Sequence, residues 1–325
     1  MGSDASGLLR RKRLSKMKLR QAEGRGDHGS TDVILPVGLI GGAGFVYGRI
    51  TRRDPKLLVD FAFYLLTPAL IFRSVYTSSV SREHVLLIGA FVLTVQVVLF
   101  AVSRVGGRLL RWEGTTKTAA SLAMTFANTG IYGLPVLLFA FGEAGFQFGV
   151  VYMLASMFMQ ATLGVGIATW TQWRDLVRWG GRVLRVPWLY VFAAALLLKR
   201  VDWELPEGLF KAIELLASAA IPMQLILLGL QLSRIPVRRF AKEVIWVSSW
   251  KLLLPPLLAW GLTWALGVQG LLRAVLIVEA SMPTAINAMI LSMHYRREPE
   301  LVASVVLVTT TLSLVTVSVL LSLLG

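Results

Sequence analysis

Helix-breaking residues interrupt a hydrophobic segment that is long enough to cross a lipid bilayer. The segment covers residues 115–142, and residues 128–135 at its centre read Asn-Thr-Gly-Ile-Tyr-Gly-Leu-Pro. Gly and Pro weaken a helix and remove backbone hydrogen bonds, for which lipid offers no replacement partners. Such backbone is stable at membrane depth only where protein or a water-filled cavity surrounds it. The break therefore predicts a buried, functional region inside the membrane.

A second break of the same kind lies in a later hydrophobic segment, where residues 281–287 read Ser-Met-Pro-Thr-Ala-Ile-Asn. Pro135 and Pro283 each suit the first position of a new half-helix, where a missing N–H has no cost. Each half-helix then begins near the membrane centre, with free N–H groups that attract anions. Asn128 and Asn287 add amides that donate and accept hydrogen bonds without a buried charge. A proline kink is the alternative for either break alone, but two matched breaks predict a transporter's binding site.

The composition is that of a polytopic membrane protein. Hydrophobic residues make up 55% of the 325-residue chain, charged residues 16%, and the mean hydropathy is +0.67, which is too apolar for a soluble protein. The 33 Lys and Arg residues give a net charge of +15 but lie in short clusters between apolar segments, so we expect no nucleic-acid partner. The sequence has no cysteine, no helical histidine pair and no phosphate-binding loop. We therefore predict no catalytic residue, no metal site and no cofactor.

Ten apolar spans are predicted along the chain. They lie at residues 32–50, 55–78, 84–103, 115–142, 144–171, 187–199, 207–233, 243–266, 270–293 and 298–324. The sixth is shorter than the roughly 20 residues that a membrane-crossing helix needs. If all ten cross, an odd number of spans in each half gives halves of opposite orientation, which is an inverted repeat. The predicted divisions are a basic disordered tail (1–31), a first five-helix repeat (32–172), a short basic cytoplasmic loop (173–186) and a second five-helix repeat (187–325).

Basic residues in the short loops predict the orientation. Loops that follow the odd-numbered spans carry 18 Lys and Arg, against 6 in or beside the loops that follow the even-numbered spans. Because basic loops stay in the cytoplasm, both termini are predicted outside. Eight further basic residues in the tail oppose this orientation. The chain is interpreted as a multi-pass protein of the inner or plasma membrane.

Four charged residues fall within or beside the predicted spans, and such residues are functional hypotheses by default. Glu279 lies four residues before Pro283 on the same helix face, so it is a candidate to carry a coupling proton; a structural carboxyl is the alternative. Asp60, near the cytoplasmic end of the second span, is a further ion-coupling candidate or a solvated carboxylate. Lys251 is interpreted as snorkelling to the headgroups, with balancing of an anionic substrate as the alternative. Glu214 is interpreted as structural, at the outer rim.

Four short motifs, in this order and spacing, resemble the auxin efflux carrier family, which contains plant auxin exporters and bacterial permeases for malate, malonate and related acids. Residues 128–135 resemble the family's fourth-span N-T-x-x-x-G-x-P, and residues 279–288 resemble the bacterial ninth-span E-A-x-M-P-T-A-x-N-A. Residues 66–72 resemble the second-span L-x-P-A-L-I-F, and residues 221–223 with Gly229 resemble the seventh-span pattern. The likeness covers residues 32–324.

This resemblance implies an all-α, ten-span inverted-repeat carrier, related in fold to bile-acid symporters and sodium/proton antiporters, with a scaffold and a mobile transport region. It also implies that the broken fourth and ninth helices cross, and that a substrate carboxylate binds near Asn128 at the crossing. The ninth span follows the bacterial pattern more than the plant one. Auxin itself is therefore not the expected substrate.

The predicted function is secondary transport of a small organic anion, a carboxylate, by alternating access at a midplane site. The predicted substrate-binding residues are Asn128, Thr129, Gly133, Pro135, Pro283, Thr284 and Asn287. The predicted partners are the anion, the lipid bilayer and a proton or sodium ion, with a homodimer as one candidate assembly. Two alternatives stay open: a sodium- or proton-coupled symporter or antiporter of the same fold, and a membrane sensor that binds its ligand without moving it.

Overall fold

Helices make up the regular structure of the residues that can be described. The computed structural model describes residues 30–169, 187–201, 203–235 and 241–324. In chain order, the helices of these ranges are Ser30–Thr51 (α1), Lys56–Thr77 (α2), Arg82–Leu109 (α3), Gly114–Thr125 (α4), Thr129–Thr169 (α5), Pro187–Arg200 (α6), Glu207–Leu232 (α7), Ala241–Ala265 (α8), Gly270–Ala280 (α9), Ile286–His294 (α10) and Pro299–Leu324 (α11). The only β pairing within the described ranges is an isolated bridge between Ala127 and Thr284. The predicted all-helical class is confirmed.

Seven of these helices are long and apolar enough to cross a membrane, judged by length and composition. They are α1, α2, α3, α5, α7, α8 and α11. The interpretation as a polytopic membrane protein is thereby confirmed. Almost all of the predicted basic tail (1–31) and the whole predicted basic loop (173–186) lie outside the described residues.

Glycines bring α1 and α7 into backbone contact. A Cβ on Gly44 would meet the backbone of Ile226, and a Cβ on Gly229 would meet the backbone of Gly41. Small residues at such positions allow two helices to pack closely within a membrane, where dispersion contacts rather than the hydrophobic effect drive association. A larger side chain at Gly44 or Gly229 would therefore separate the two helices.

A glycine divides α5 into two segments. Gly142 has φ 63° and ψ −160° within this otherwise helical run, a conformation that only glycine adopts without strain. The 41 residues of α5 are more than one membrane crossing requires. The kink coincides with the boundary predicted between the fourth and fifth apolar spans, at residues 142–144.

Two short helices lie in the interior and end at its centre. All residues of α4 from Thr118 to Thr125 are buried, as are all residues of α9 from Val275 to Ala280. The helix α4 ends just before the first sequence break, and α9 ends just before the second. Protein therefore surrounds both breaks, which is the condition for non-helical backbone at membrane depth.

Candidate functional site

The two breaks cross each other and are joined through their backbones. The N–H of Asn128 donates to the carbonyl of Pro283 at 2.7 Å, and the N–H of Ala285 donates to the carbonyl of Phe126 at 3.0 Å. These two hydrogen bonds form the antiparallel bridge between Ala127 and Thr284. Each break thus supplies the other with one donor and one acceptor, which satisfies backbone groups that have no partner within their own helices.

The interpretation that each half-helix begins at its proline was wrong for Pro283, whereas Pro135 lies in the first turn of the regular α-helix from Leu134 onwards, one π-helical turn after the half-helix starts. The first half-helix begins at Thr129 with a π-helical turn over Thr129–Gly133, in which the N–H of Gly133 donates to the carbonyl of Asn128 at 3.0 Å. Pro135 follows this turn. Pro283 lies in the extended backbone of the second break, and α10 begins only at Ile286. The start is displaced because the N–H groups of the two residues after Pro283 bond outside the helix, that of Thr284 to Thr309 in α11 and that of Ala285 to Phe126 across the crossing.

Thr284 fastens the crossing to two neighbouring helices. Its hydroxyl donates to the carbonyl of Ala123 in α4 at 2.8 Å. Its N–H donates to the hydroxyl of Thr309 in α11 at 3.2 Å. The side chain is completely buried. The geometry therefore gives Thr284 a structural part in holding the crossing.

A cavity of about 130 Å³ lies beside the crossing. Three of the predicted binding residues line it, namely Asn128, Thr129 and Asn287, whereas Gly133, Pro135, Pro283 and Thr284 do not. The backbone at Thr129 is also the start of a half-helix, where free N–H groups and the positive end of the helix dipole favour an anion. Three of the seven predicted binding residues thus surround the cavity, and the other four lie in the backbone next to it.

Side-chain amides dominate the polar lining of this cavity. Asn128 and Asn287 are joined there by Gln160 of α5 and by Gln224 and Gln231 of α7, and no Lys, Arg, Asp or Glu of the described ranges is among the lining residues. The Asn128 Nδ2 and Gln224 Oε1 atoms are buried without a hydrogen-bond partner in the part of the chain that the structure describes. An unpaired buried amide costs free energy, so the cavity offers hydrogen bonds to a polar ligand.

The three glutamines were not predicted from the sequence, although a pattern was present. Gln160 lies in the fifth predicted apolar span, and Gln224 and Gln231 lie in the seventh. A polar side chain within an apolar span is costly, and it usually faces the protein interior or a cavity. These glutamines are neither charged nor part of a break, so those two signals did not identify them. Their position as uncharged polar residues inside apolar spans is the signal that could have done so.

Glu279 is buried against the half-helix that follows the first break. Its side chain is 0% exposed, and both carboxyl oxygens are without a hydrogen-bond partner among the residues described. A Cβ on Gly133 would lie 2.6 Å from Glu279 Oε2, and a Cβ on Gly149 would lie 3.3 Å from Oε1. The absence of side chains on these two glycines therefore creates the space that the carboxyl group fills. Glu279 does not line the cavity of amides.

The second ion-coupling candidate lies elsewhere. Asp60 is exposed on α2 and is absent from the lining of the cavity, although its neighbours Val59 and Phe63 contribute to that lining. Glu214 Oε1 lies 3.8 Å from Arg73 Nε, and Glu143 Oε1 lies 3.3 Å from Arg73 Nη1. Glu214 thus belongs to a cluster of three partly exposed charges that connects α2, α5 and α7.

Lys251 does not snorkel, and that interpretation is corrected. The side chain is 0% exposed, and its ammonium group donates to the carbonyl of Met124 at 3.3 Å. Met124 lies in the last turn of α4, where carbonyl groups lack helical partners and the dipole is negative. The carbonyl groups at the end of α4 therefore stabilise a positive charge on Lys251, compared with apolar surroundings that lack such groups.

Known proteins with similar sequences are membrane transporters. A family model described as "Membrane transport protein" matches residues 33–171 and 182–321. An uncharacterized transporter of Methanothermobacter thermautotrophicus is 28% identical over 292 residues, which cover 88% of this chain and 96% of the relative. An uncharacterized transporter of Methanocaldococcus jannaschii is 26% identical over 305 residues, 88% and 95% of the two chains. A candidate malonate transporter of Rhizobium meliloti is 28% identical over 306 residues, 89% and 93%.

Proposed function

Since the chain belongs to the membrane transport protein family, whose model it matches over most of its length, we propose that it is a secondary transporter of a small carboxylate that works by alternating access. The resemblance to auxin efflux carriers is confirmed by that match, and the protein is a membrane transporter rather than an enzyme. The substrate, the mechanism and the coupling ion are our proposal.

The single observation that carries the carboxylate proposal is the lining of the cavity beside the crossing. The unpaired Nδ2 atom of Asn128 and the start of a half-helix offer hydrogen-bond donors, and no acidic side chain of the described residues lines the space to repel an anion. Hydrogen bonds to a charged group are roughly twice as strong as those between neutral groups. The similarity to a candidate malonate transporter supports a short carboxylic acid as the substrate.

Ten spans arranged as an inverted repeat are the fold that we propose for this activity. The kinked α5 supplies two of them, α6 supplies another, and α4 and α9 each continue across a break. The packing supports two halves, residues 32–172 and 187–325, joined by the basic loop 173–186. α1 packs on α7 as α2 packs on α6, and α3 packs on α4 as α8 packs on α9. The first two pairs join the halves and correspond when the halves are exchanged, and the last two correspond as one pair in each half, as an inverted repeat requires.

The cavity is displaced towards one side of the proposed membrane. Its lining includes Val59 near the start of α2 and Gln231 near the end of α7. In the charge cluster, Arg73 and Glu214 lie towards the opposite ends of these two helices, and Glu143 of α5 pairs with Arg73. Under the orientation that the loop charges favour, with both termini outside the cell membrane, the cavity belongs to the cytoplasmic side. We therefore propose that the charge cluster closes the outer side in this conformation.

Glu279 favours proton coupling over sodium coupling. Its buried carboxyl group has no counter-charge or hydrogen-bond partner among the described residues, and an ionised carboxylate is costly in such a place. A carboxyl group that binds and releases a proton during the cycle would carry that proton with the carboxylate. Asp60, exposed on α2, is the weaker candidate for the same role.

A flux assay tests the proposal. The protein in liposomes preloaded with malonate should accumulate labelled malonate by exchange, and protein-free liposomes should not. Succinate, malate and indole-3-acetate as competitors define the substrate class. Stabilisation of the purified protein by a carboxylate without flux of that compound would favour a sensor. Flux that requires sodium at every pH would contradict proton coupling, and flux of no carboxylate would contradict the proposed substrate class.

A further inference from the structure

A second and larger cavity lies away from the crossing. It has a volume of about 630 Å³ and lies between α2, α3, α5 and α6. None of the crossing residues 126–131 or 283–287 lines it. The proposed transport function makes no use of this space, which we call the lipid slot.

The basic side chains of the lipid slot lie at one end. Arg82 at the start of α3, Gln147 in α5, and Lys199 at the end of α6 lie at this end, together with Ser78 after α2. No acidic residue of the described ranges is among those that line the slot. The amino group of Lys199 also donates a hydrogen bond to the carbonyl of Ser78. The polar end therefore holds two cations that no described acidic residue of the lining neutralises.

The rest of the slot is apolar along all three of its longer walls. Beyond Arg82, α3 contributes residues such as Val85, Gly89 and Leu93. Beyond Gln147, α5 contributes apolar residues as far as Met159. The helix α6 runs the opposite way, from Trp188 at the apolar end to Lys199 at the polar end. Three helices thus change from polar to apolar in the same direction.

The length of the slot matches one leaflet of a bilayer. The α3 wall extends from Arg82 to Leu93, which corresponds to roughly 16 Å at 1.5 Å per residue. Half of a bilayer's hydrocarbon core is about 15 Å thick. An acyl chain that enters from the membrane surface would reach the apolar end, while its headgroup would stay beside Arg82 and Lys199.

The geometry points to a binding site for one acyl chain of an anionic phospholipid, with its phosphate held by Arg82 and Lys199. The apolar walls exclude water and contact the chain. The two basic side chains select a lipid with net negative charge, such as phosphatidylglycerol, over zwitterionic phosphatidylcholine, because each contributes attraction to anionic headgroups. The lipid would touch α2 and α6 on one side and α3 and α5 on the other.

Native mass spectrometry of the purified protein, titrated with phosphatidylglycerol or phosphatidylcholine, tests this site. Gly89 lines the slot, and a Cβ placed on it meets nothing within 4 Å. Gly89→Leu should therefore fill the slot and remove the tightest bound phosphatidylglycerol. Gly261 in α8 is equally open but lies outside the slot, so Gly261→Leu is the matched control and should retain it. Equal lipid retention by the two variants would overturn the proposal.

The headgroup contact has a separate test that does not depend on filling the slot. Arg82→Gln and Lys199→Gln should each weaken phosphatidylglycerol binding about fivefold and reduce the preference for phosphatidylglycerol over phosphatidylcholine. Arg200 is exposed and does not line the slot, so Arg200→Gln should bind as the wild type does. Equal affinity of the wild type for the two lipids, or displacement of the lipid by millimolar inorganic phosphate alone, would contradict a site that needs both chain and headgroup.

Discussion

The backbone N–H of Asn128 donates to the carbonyl of Pro283 at 2.7 Å. This bond fixes the main chain of Asn128 to the opposite break, while the side-chain Nδ2 atom has no partner among the described residues and Asn128 lines the cavity. The amide is thus positioned by protein and left available to a ligand. Such preorganisation reduces the entropy that the site loses on binding.

Thr284→Val should lower the free energy of unfolding by about 1–3 kcal/mol, because it leaves the buried carbonyl of Ala123 without its donor. Thr311→Val is the matched control. Thr311 is exposed and its hydroxyl bonds only within its own helix, to the carbonyl of Leu307. Unfolding of both variants in detergent, followed by circular dichroism, measures the difference. Equal stability of the two would show that the crossing does not depend on Thr284.

Gly133→Ala should destabilise the protein by about 1–3 kcal/mol, because the new methyl group would lie 2.6 Å from the Glu279 carboxyl group, which is fully buried. The same substitution in a Glu279→Ala background should cost clearly less, since the obstructing group is then absent. Gly261→Ala, at an open and exposed helix position, should have little effect. Additive effects of Gly133→Ala and Glu279→Ala would contradict the contact.

Lys251 should resist water-soluble amine-modifying reagents in the folded protein, because its side chain is 0% exposed. Lys211 should react readily, since its side chain is 67% exposed. Mass spectrometry of peptides after a time course of labelling measures both rates in one sample. Comparable rates before unfolding would restore the interpretation of Lys251 as a snorkelling residue.

Glu279→Gln should uncouple transport from the proton gradient. The amide has nearly the same shape but cannot bind and release a proton in the same way, so exchange of labelled carboxylate should continue while accumulation driven by a pH gradient disappears. Glu207→Gln is the control, because Glu207 is 82% exposed and pairs with Lys211 of its own helix. The coupling role fails if Glu279→Gln still accumulates substrate when only a pH gradient is imposed.

Helix-forming segments were largely predictable from hydrophobicity. The apolar segments predicted at 55–78 and 207–233 correspond closely to α2 and α7. The two breaks were predictable because Gly, Pro and Asn occur together inside apolar spans. The backbone after each break was not predictable, since Thr129 begins its helix with a π turn and Ala285 bonds across the crossing. Local propensity contains no information on hydrogen bonds between residues more than 150 positions apart.

Lys251 and Gln224 show why side-chain environments were harder to predict. A lysine inside an apolar span is compatible with either a headgroup or a buried carbonyl, and only the position of α4 beside α8 decides for the carbonyl of Met124. Gln224 becomes a cavity residue because α7 faces the first break. Both outcomes depend on which helices are neighbours, which one sequence does not specify.

Carboxylate uptake by Asn128→Ala in liposomes tests the central claim most directly. Loss of a hydrogen bond to a charged group should weaken substrate binding roughly tenfold to a hundredfold, and the thermal stabilisation by substrate should fall in parallel. Gln269→Ala, at an exposed position that does not line the cavity, should transport as the wild type does. Folded, inserted Asn128→Ala protein with wild-type uptake and wild-type substrate affinity would contradict the assignment of this site.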